Sequence, residues 1–562
     1  MSDGERTMDN GNSVNIAACL PLMAKKQPQE PAIFSPHKRE KNKRPRYTHY
    51  TFKQLDHESD CIARGLEQTG IGRGVRTVLM VPPSLEFFAL TFAIFKAGAV
   101  PVMIDPGIGI KNIRDCLAQA EPEAFIGIPK AQLARTLLGW GKKTIHINVT
   151  AGRRLFWKGL SLARVRKDGQ SETPYHMART GPDETAAILF TSGSTGTPKG
   201  AVYTHGNFAA QVEIIRNTFQ IEPGEIDLPT FPLFALFDPA LGMTTIIPDM
   251  DPTRPALVDP EKIIEPIHRF HVTNMFGSPA LINRVGRYAA THGIKCPTLR
   301  RVISAGAPVS AAALERFSQM LSPDTQIFTP YGATEAMPVS SMGSREILSE
   351  TRYDTDKGKG ICVGKPVEKM TAAVIEITDD PIPCWNNRLK IPEGKIGEIV
   401  VKGPTATRSY YKQEDATRLA KIYEKHSNVV WHRMGDLGLF DELGRLWFCG
   451  RKSHRVVTQS GTLYTIPCEA VFNIHPDVYR TALVGIKMNG EIEPVICVEL
   501  EETSKGKDLA KIEHELLALG AGKPHTKSIK TVLFHDGFPV DIRHNAKIFR
   551  EKLGVWAQKK LG

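Results

Sequence analysis

From residue 50 onward, apolar positions recur first at helical and then at strand spacing. Tyr50, Thr51 and Phe52 open a helical pattern that runs to about Gly70, with Leu55, Ile62 and Leu66 on its apolar side. Val75 to Val81 reads as a strand, Leu85 to Gly98 as a helix, and Ala99 to Pro106 as the next strand. This alternation implies a sheet with helices packed on it. Positions 107 to 185 are weakly patterned. Ala186 to Phe190 then forms a short apolar run, Ala201 to Tyr203 a second, and Thr204 to Asn207 resembles a helix entry. Val272 to Pro279 and Leu299 to Pro308 each read as a strand ending in a Gly/Pro turn, where an α/β sheet exposes its ligand crevice. Gly397 to Pro404 reads as a strand of a smaller barrel. The last hundred or so residues hold two strands, Arg480 to Ile486 and Glu493 to Leu500, followed by a helix from Leu509 to Leu519.

Composition changes this picture little. The 562 residues suffice for more than one domain, and 41% hydrophobic, 23% charged and a mean hydropathy of −0.22 are ordinary globular values. No apolar run approaches the roughly 20 residues of a membrane-spanning helix. Met1 to Asn12 carries acids and no apolar signal core, and nine scattered cysteines include no CxxC pair. A reducing, cytoplasmic setting without zinc is expected.

The net charge of +12 is partly local. Lys38 to Arg46 carries six basic residues against one acid, and Arg153 to Lys167 carries six and no acid. No nucleic-acid-binding pattern accompanies either, so nucleic acid is not an expected partner. Solvated basic loops are the plain reading. The second stretch also interleaves Leu155, Phe156, Trp157, Leu160 and Leu162, which would suit an acidic membrane surface or a partner.

The densest chemistry lies between the two runs at 186–203, in the stretch FTSGSTGTPKG from Phe190 to Gly200. Its glycines let backbone approach a ligand closely, and its hydroxyls and Lys199 offer donors to phosphate oxygens. It is a poor Walker A loop, because Pro198 precedes the lysine and Gly200 follows it. A strand–loop–strand phosphate cradle remains. Leu228 to Gly242, LPTFPLFALFDPALG, is apolar enough to line a pocket for a greasy substrate, with Phe231, Phe234, Ala235, Phe237 and the more distant Gly277 as candidate walls.

The loop resembles the signature of the adenylate-forming superfamily, which includes acyl-CoA synthetases, luciferases and peptide-synthetase adenylation domains. Further motifs follow in order over roughly positions 50 to 555. The resemblance implies nucleotide contacts from Thr191, Ser192, Gly193, Ser194, Thr195, Gly196 and Lys199, and adenine flanked by Gly306, Ala307 and Pro308. Tyr331, Gly332, Ala333, Thr334 and Glu335 match its Tyr-Gly-x-Thr-Glu pattern: an aromatic face for adenine, a threonine for phosphate, a carboxylate for Mg²⁺. Asp436 corresponds to the ribose-binding carboxylate and Arg451 to an arginine reaching phosphate and ribose. Lys547, in the KIFR tail, corresponds to the lysine that stabilises the transition state at the α-phosphate.

The implied fold is α/β: a large N-terminal domain of packed sheets with flanking helices plus a small barrel (1–450), and a small mobile α+β domain (451–562). ATP and Mg²⁺ are the implied cofactors, and Lys199, Glu335 and Lys547 the implied catalytic residues.

Two regions narrow the resemblance. The FPLFALFDPALG pocket and the FPVDIRHNAKIFREKL ending look like those of the β-lactone synthetases of long-chain olefin biosynthesis. Ala235 stands where acyl-CoA ligases often carry a histidine, and Ser453 stands at the hinge. The implied substrate is a long-chain 2-alkyl-3-hydroxy fatty acid whose own hydroxyl closes a β-lactone, with other enzymes of olefin biosynthesis as candidate partners and His454 or His544 as candidate bases. A fatty acyl-CoA ligase and a fatty acyl-AMP ligase feeding a carrier protein are the alternatives. A non-catalytic lipid- or nucleic-acid-binding scaffold is a third, and the intact set Lys199, Glu335, Asp436, Arg451 and Lys547 argues against it.

Overall fold

The computed structural model describes residues 13–37, 45–191, 198–541 and 547–561. Ser192, Gly193, Ser194, Thr195, Gly196 and His544 lie outside the described residues, as does most of the basic run 38–46.

Two seven-stranded sheets form the bulk of the molecule. The first runs Leu160–Ser161, Ile147–Thr150, Ala124–Gly127, Arg76–Met80, Val100–Ile104, Thr185–Thr191 and Lys199–Thr204, parallel except for its last pair. The second runs Gln326–Phe328, Arg301–Ser304, Asn274–Gly277, Ile226–Pro229, Thr244–Ile246, Pro31–Pro36 and Tyr47–Thr51, again parallel until its last pair. Parallel strands need crossover connections, and helices supply most of them, covering the sheet faces with apolar side chains.

On the first sheet, strand alternation separates two cores. Leu79, Met103 and Ala187 point to one face and pack with helices Phe52–Gln68 and Leu85–Lys96. Val78, Val102, Ile104 and Phe190 point to the other and pack with helix Ile110–Ala120 and Trp140. Helix Phe52–Gln68 begins in a capping box between Thr51 and Gln54. Lys96 is buried, and its Nζ lies 2.6 Å from Asp56 and 2.5 Å from Asp60, so the charge is compensated from the neighbouring helix.

The predicted small barrel is an eight-stranded sheet of antiparallel pairs, from Tyr331–Ala333 through Ala336–Ser341, Ile361–Pro366, Leu446–Arg451, Val430–Phe440 and Gly397–Lys402 to Thr371–Ile375, with Lys421–Tyr423 alongside. The final segment pairs Val478–Met488, Glu491–Leu500 and Thr531–Phe534 and packs Thr465–Asn473, Leu509–Ala521 and Arg550–Leu561 around them. The α/β class, the alternation over 50–106 and the α+β ending therefore stand as expected. Positions 107–185 differ from their weak pattern: they hold helices Ile110–Ala120 and Pro129–Leu138, the buried strand Ala124–Gly127 and the partly buried strand Ile147–Thr150. The basic stretch is split. Trp157 is buried, its indole donating to Thr150 at 2.9 Å, while Leu155 and Phe156 are exposed.

Candidate active site

One cavity of about 1880 Å³ lies where the three large sheets meet, and it gathers side chains from each of them and, in Lys547, from the C-terminal segment. Its polar end is built by strand ends. Thr191 and Lys199 are cross-strand partners at the base of the hairpin that carries the signature loop, which places the lysine at the cavity wall. Lys199 Nζ sits 5.2 Å from the centre of the Tyr410 ring. The ring's hydroxyl donates to Glu335 Oε1 at 2.7 Å, and Glu335's own carbonyl accepts from the Thr407 amide at 2.8 Å.

Asp436 and Arg451 are register partners on adjacent antiparallel strands, so their side chains share a face. Tyr331 donates its hydroxyl to Asp436 Oδ2 at 2.7 Å, and Arg451 Nη1 lies 3.0 Å from Oδ1. Burial pushes the Asp436 carboxyl up from its ordinary range, opposed by Arg451 and the Tyr331 hydroxyl. Oδ1 is buried and, among the described residues, accepts no hydrogen bond beyond that ion pair, which leaves an acceptor for a ligand hydroxyl. Arg451 is held by the Met434 carbonyl at 3.1 Å, and its pKa is raised chiefly by Asp436. Gly435, at φ 66, turns the chain beside Arg451 in a conformation a side chain would strain.

Gly306, at φ 96, lies in the turn after strand Arg301–Ser304 and lines the cavity, whereas Ala307 and Pro308 continue the turn beyond the lining. Tyr331 to Glu335 all line it, and so does Lys547. His454 lies near Arg451, Arg550 and Lys547. Burial, with these three cations, pushes its pKa down to about 3, so the ring is neutral, and its Nε2 makes no hydrogen bond among the described residues.

The apolar end follows the sequence only in part. Phe231, Phe234 and Phe237 form the wall, with Phe234 stacked on Phe276 at 4.0 Å. Ala235, expected there, is turned into the hydrophobic core, because a single helical turn over Pro232–Ala235 carries its methyl to the opposite side. Gly277 is likewise behind the wall, its α-carbon facing Leu281 and Ile282, while its neighbours Phe276 and Ser278 reach the cavity.

Several groups at the site carry no motif. Tyr410 holds Glu335. Tyr203 donates its hydroxyl to the Thr334 carbonyl and is approached by Gln211, which also donates to the Met337 carbonyl at 3.1 Å. Lys421 is buried behind Tyr410 and donates to the Thr407 carbonyl; burial pulls its pKa down to about 7, against the attraction of Glu335. Single buried polar residues in strands give no periodic signal, so the sequence pattern does not point to them.

The chain belongs to the AMP-binding enzyme family, whose model matches residues 22–411. Within it, the chain is 51% identical to an olefin beta-lactone synthetase of Xanthomonas campestris pv. campestris, over 98% of this chain and 99% of that protein. It is 49% identical to another of that name from Stenotrophomonas maltophilia, over 97% and 98% respectively. Among solved structures, an anthranilate CoA ligase in complex with anthranoyl-AMP superposes with a TM-score of 0.80 at 18% identity, covering 98% of this chain and 99% of its own. The amide bond synthetase McbA from Marinactinospora thermotolerans gives 0.76 at 20%, over 96% and 99%. Both share the fold. Among the described residues, no helix is long and apolar enough to cross a membrane.

Proposed function

We propose that this enzyme activates a long-chain 2-alkyl-3-hydroxy fatty acid with ATP and closes it to a β-lactone. The observation that carries the reading is identity of about half, end to end, with two olefin beta-lactone synthetases. In the first step a carboxylate oxygen attacks the α-phosphorus, the bond to the β-phosphate breaks, and pyrophosphate leaves. In the second, the 3-hydroxyl oxygen attacks the acyl carbon, the bond to AMP breaks, and the hydroxyl proton passes to a base. An internal nucleophile has a high effective molarity, on the order of 10⁵ M in favourable cases, against which ring strain acts.

On this reading Asp436 Oδ1 accepts from ribose, while Tyr331 and Arg451 hold the carboxylate in place. Lys199 and Lys547 supply positive charge to the phosphates, Lys547 mainly as the α-phosphorus becomes five-coordinate. The described residues contain no cluster of three metal-ligating side chains. A lone Glu335 suits Mg²⁺, a hard cation that keeps water and phosphate oxygens as its other ligands and, when bound, offsets phosphate charge. The His454 ring, neutral with its pKa pushed down to about 3, is a weak base and stands behind the cavity lining, so the hydroxyl proton is not assigned to it. The small domain from residue 451 turns about the hinge at Gly450–Ser453, and the present pose sets Lys547 in the cavity lining. Exposed Leu155 and Phe156 beside Arg153, Arg154 and Lys158 support docking of the enzyme on acidic lipid; sedimentation of Phe156→Ser with anionic vesicles as complete as that of the parent would count against it.

The test of function is product analysis. A 2-alkyl-3-hydroxy acid with ATP and Mg²⁺ is expected to give AMP, pyrophosphate and a β-lactone visible by NMR without CoA, whereas the acid lacking the 3-hydroxyl stalls as a bound adenylate. Turnover of both acids only with CoA, giving thioester, would make this an acyl-CoA ligase.

A further inference from the structure

The cavity reaches both faces of the first sheet. Its lining includes Leu79, Met103 and Leu189, which belong to one face, and Met80, Ile104 and Phe190, which belong to the other. These residues sit at or next to the C-terminal ends of the parallel strands, so the cavity straddles the sheet edge there. On the first face it continues against Phe87, Thr91 and Phe92 of helix Leu85–Lys96, ending near Cys19. On the second it continues against Ile113 of helix Ile110–Ala120, Ala131 and Ala134 of helix Pro129–Leu138, and Trp140. Both extensions are predominantly apolar, and they share the polar end at Lys199, Glu335 and Lys547.

We propose that these are two alkyl arms: one takes the branch on carbon 2 of the acid, and the other takes the chain that continues from the hydroxyl-bearing carbon 3. This rests on the lactone reading above. Three physical arguments support it. The volume, about 1880 Å³, is roughly twice the upper end of the ~300–1,000 Å³ usual for a single small-ligand site, so nucleotide and two chains fit together. Substituents on adjacent tetrahedral carbons diverge, as the two arms do around the strand ends. An apolar arm left empty would forfeit contacts along its whole lining, so a straight-chain acid would use only half of the available apolar surface. Seating both branches also restrains rotation about the bond between carbons 2 and 3, which favours poses with the hydroxyl near the acyl carbon.

The experiment narrows one arm at a time and varies one branch at a time. Ala134→Phe fills the second-face arm, and Cys19→Phe fills the end of the first-face arm. Each is assayed with three acids, long on both branches, shortened at carbon 2, or shortened beyond carbon 3, reading pyrophosphate release for activation and NMR for lactone. For each variant, kcat/KM for the long acid should fall against one shortened acid by roughly tenfold per excluded methylene, and the two variants should select opposite branches. Should Cys19→Phe fail to fold, Phe92→Leu widens the same arm and should shift the preference towards greater length on the branch that Ala134→Phe does not affect. If both variants discriminate against the same branch, or neither does, the two-arm assignment is wrong. If Ala134→Phe instead raises only the KM for CoA, that arm is a thiol channel and the assignment is again wrong. Branch selectivity in pyrophosphate release without any lactone would leave the arms standing and overturn the lactone reading; lactone formation without branch selectivity would do the reverse.

Discussion

The two ends of the cavity are held together by different physics. At the nucleotide end, a few directional contacts interlock: Tyr331 and Arg451 on Asp436, Tyr410 on Glu335, Lys199 over the Tyr410 ring. At the acyl end, the stacked Phe234 and Phe276 and the aromatic residues of helix Leu85–Lys96 make many weak, mutually replaceable contacts. Directional charged contacts fail singly and abruptly, whereas apolar contacts fail in proportion to area. Substitutions at the first end should therefore abolish a step, and those at the second should rescale a preference.

The largest effect should come from Lys547→Ala. Loss of a cation that acts mainly on the transition state should lower pyrophosphate release on the order of 10²–10³-fold. ATP affinity by calorimetry should stay close to that of the parent. Undiminished pyrophosphate release would remove Lys547 from the mechanism. Asp436→Ala should come next, since charged hydrogen bonds are worth ~1.5–3 kcal/mol, or roughly 10- to 100-fold in nucleotide affinity. Unchanged ATP binding would sink the ribose assignment and blur the contrast between the two ends.

Phe234→Ala probes the other end. It should raise the KM for a long-chain acid about tenfold, the order expected for losing one partly buried aromatic contact, with ATP binding intact. A loss of kcat as deep as that of Lys547→Ala would mean that the apolar wall also positions the reacting carbonyl.

The smallest effect concerns Lys421, whose folded pKa of about 7 lies below its ordinary 10.5. Between those values the unfolded chain binds the extra proton, so this residue makes stability rise with pH; below about 7 both states are protonated and its burial cost is present in full. Lys421→Met should remove that contribution. The urea midpoint of the parent, relative to the variant, should rise between pH 7 and 9, and a flat difference would show that the buried amine does not titrate there.

The same contrast explains what was legible in the sequence. The polar end could be read because each of Lys199, Glu335, Asp436, Arg451 and Lys547 lies in a short motif fixed by strand ends and turns. The apolar end could not, since any aliphatic residue fits a wall and only the backbone turn decides which way it points; hence Phe234 lines the cavity and Ala235 next to it does not. The second-face arm was hidden altogether. It lies within 107–185, where Leu133, Leu137 and Leu138 are exposed and the strands Ala124–Gly127 and Ile147–Thr150 are only four residues long, which erases the period. The C-terminal helix Arg550–Leu561 was missed for a related reason: Leu553 and Ala557 are its only fully buried side chains.

The buried Glu398 bears on the proposed turning of the small domain against the large one. Its carboxylate is gripped twice: by Arg433 at 2.6 Å, from within the same sheet, and by Lys452 at 3.2 Å, from the turn that follows Arg451. Stripping the sole partner from a buried charge commonly costs several kcal/mol. Here Lys452 can let go while Arg433 stays, so no ion is stranded. Lys452 has the exposed Asp379 at 3.7 Å as a second anchor. On the proposed turning of the small domain, the junction would be a latch with a permanent half and a releasable half, and opening it would trade one partner for water instead of unmaking the core.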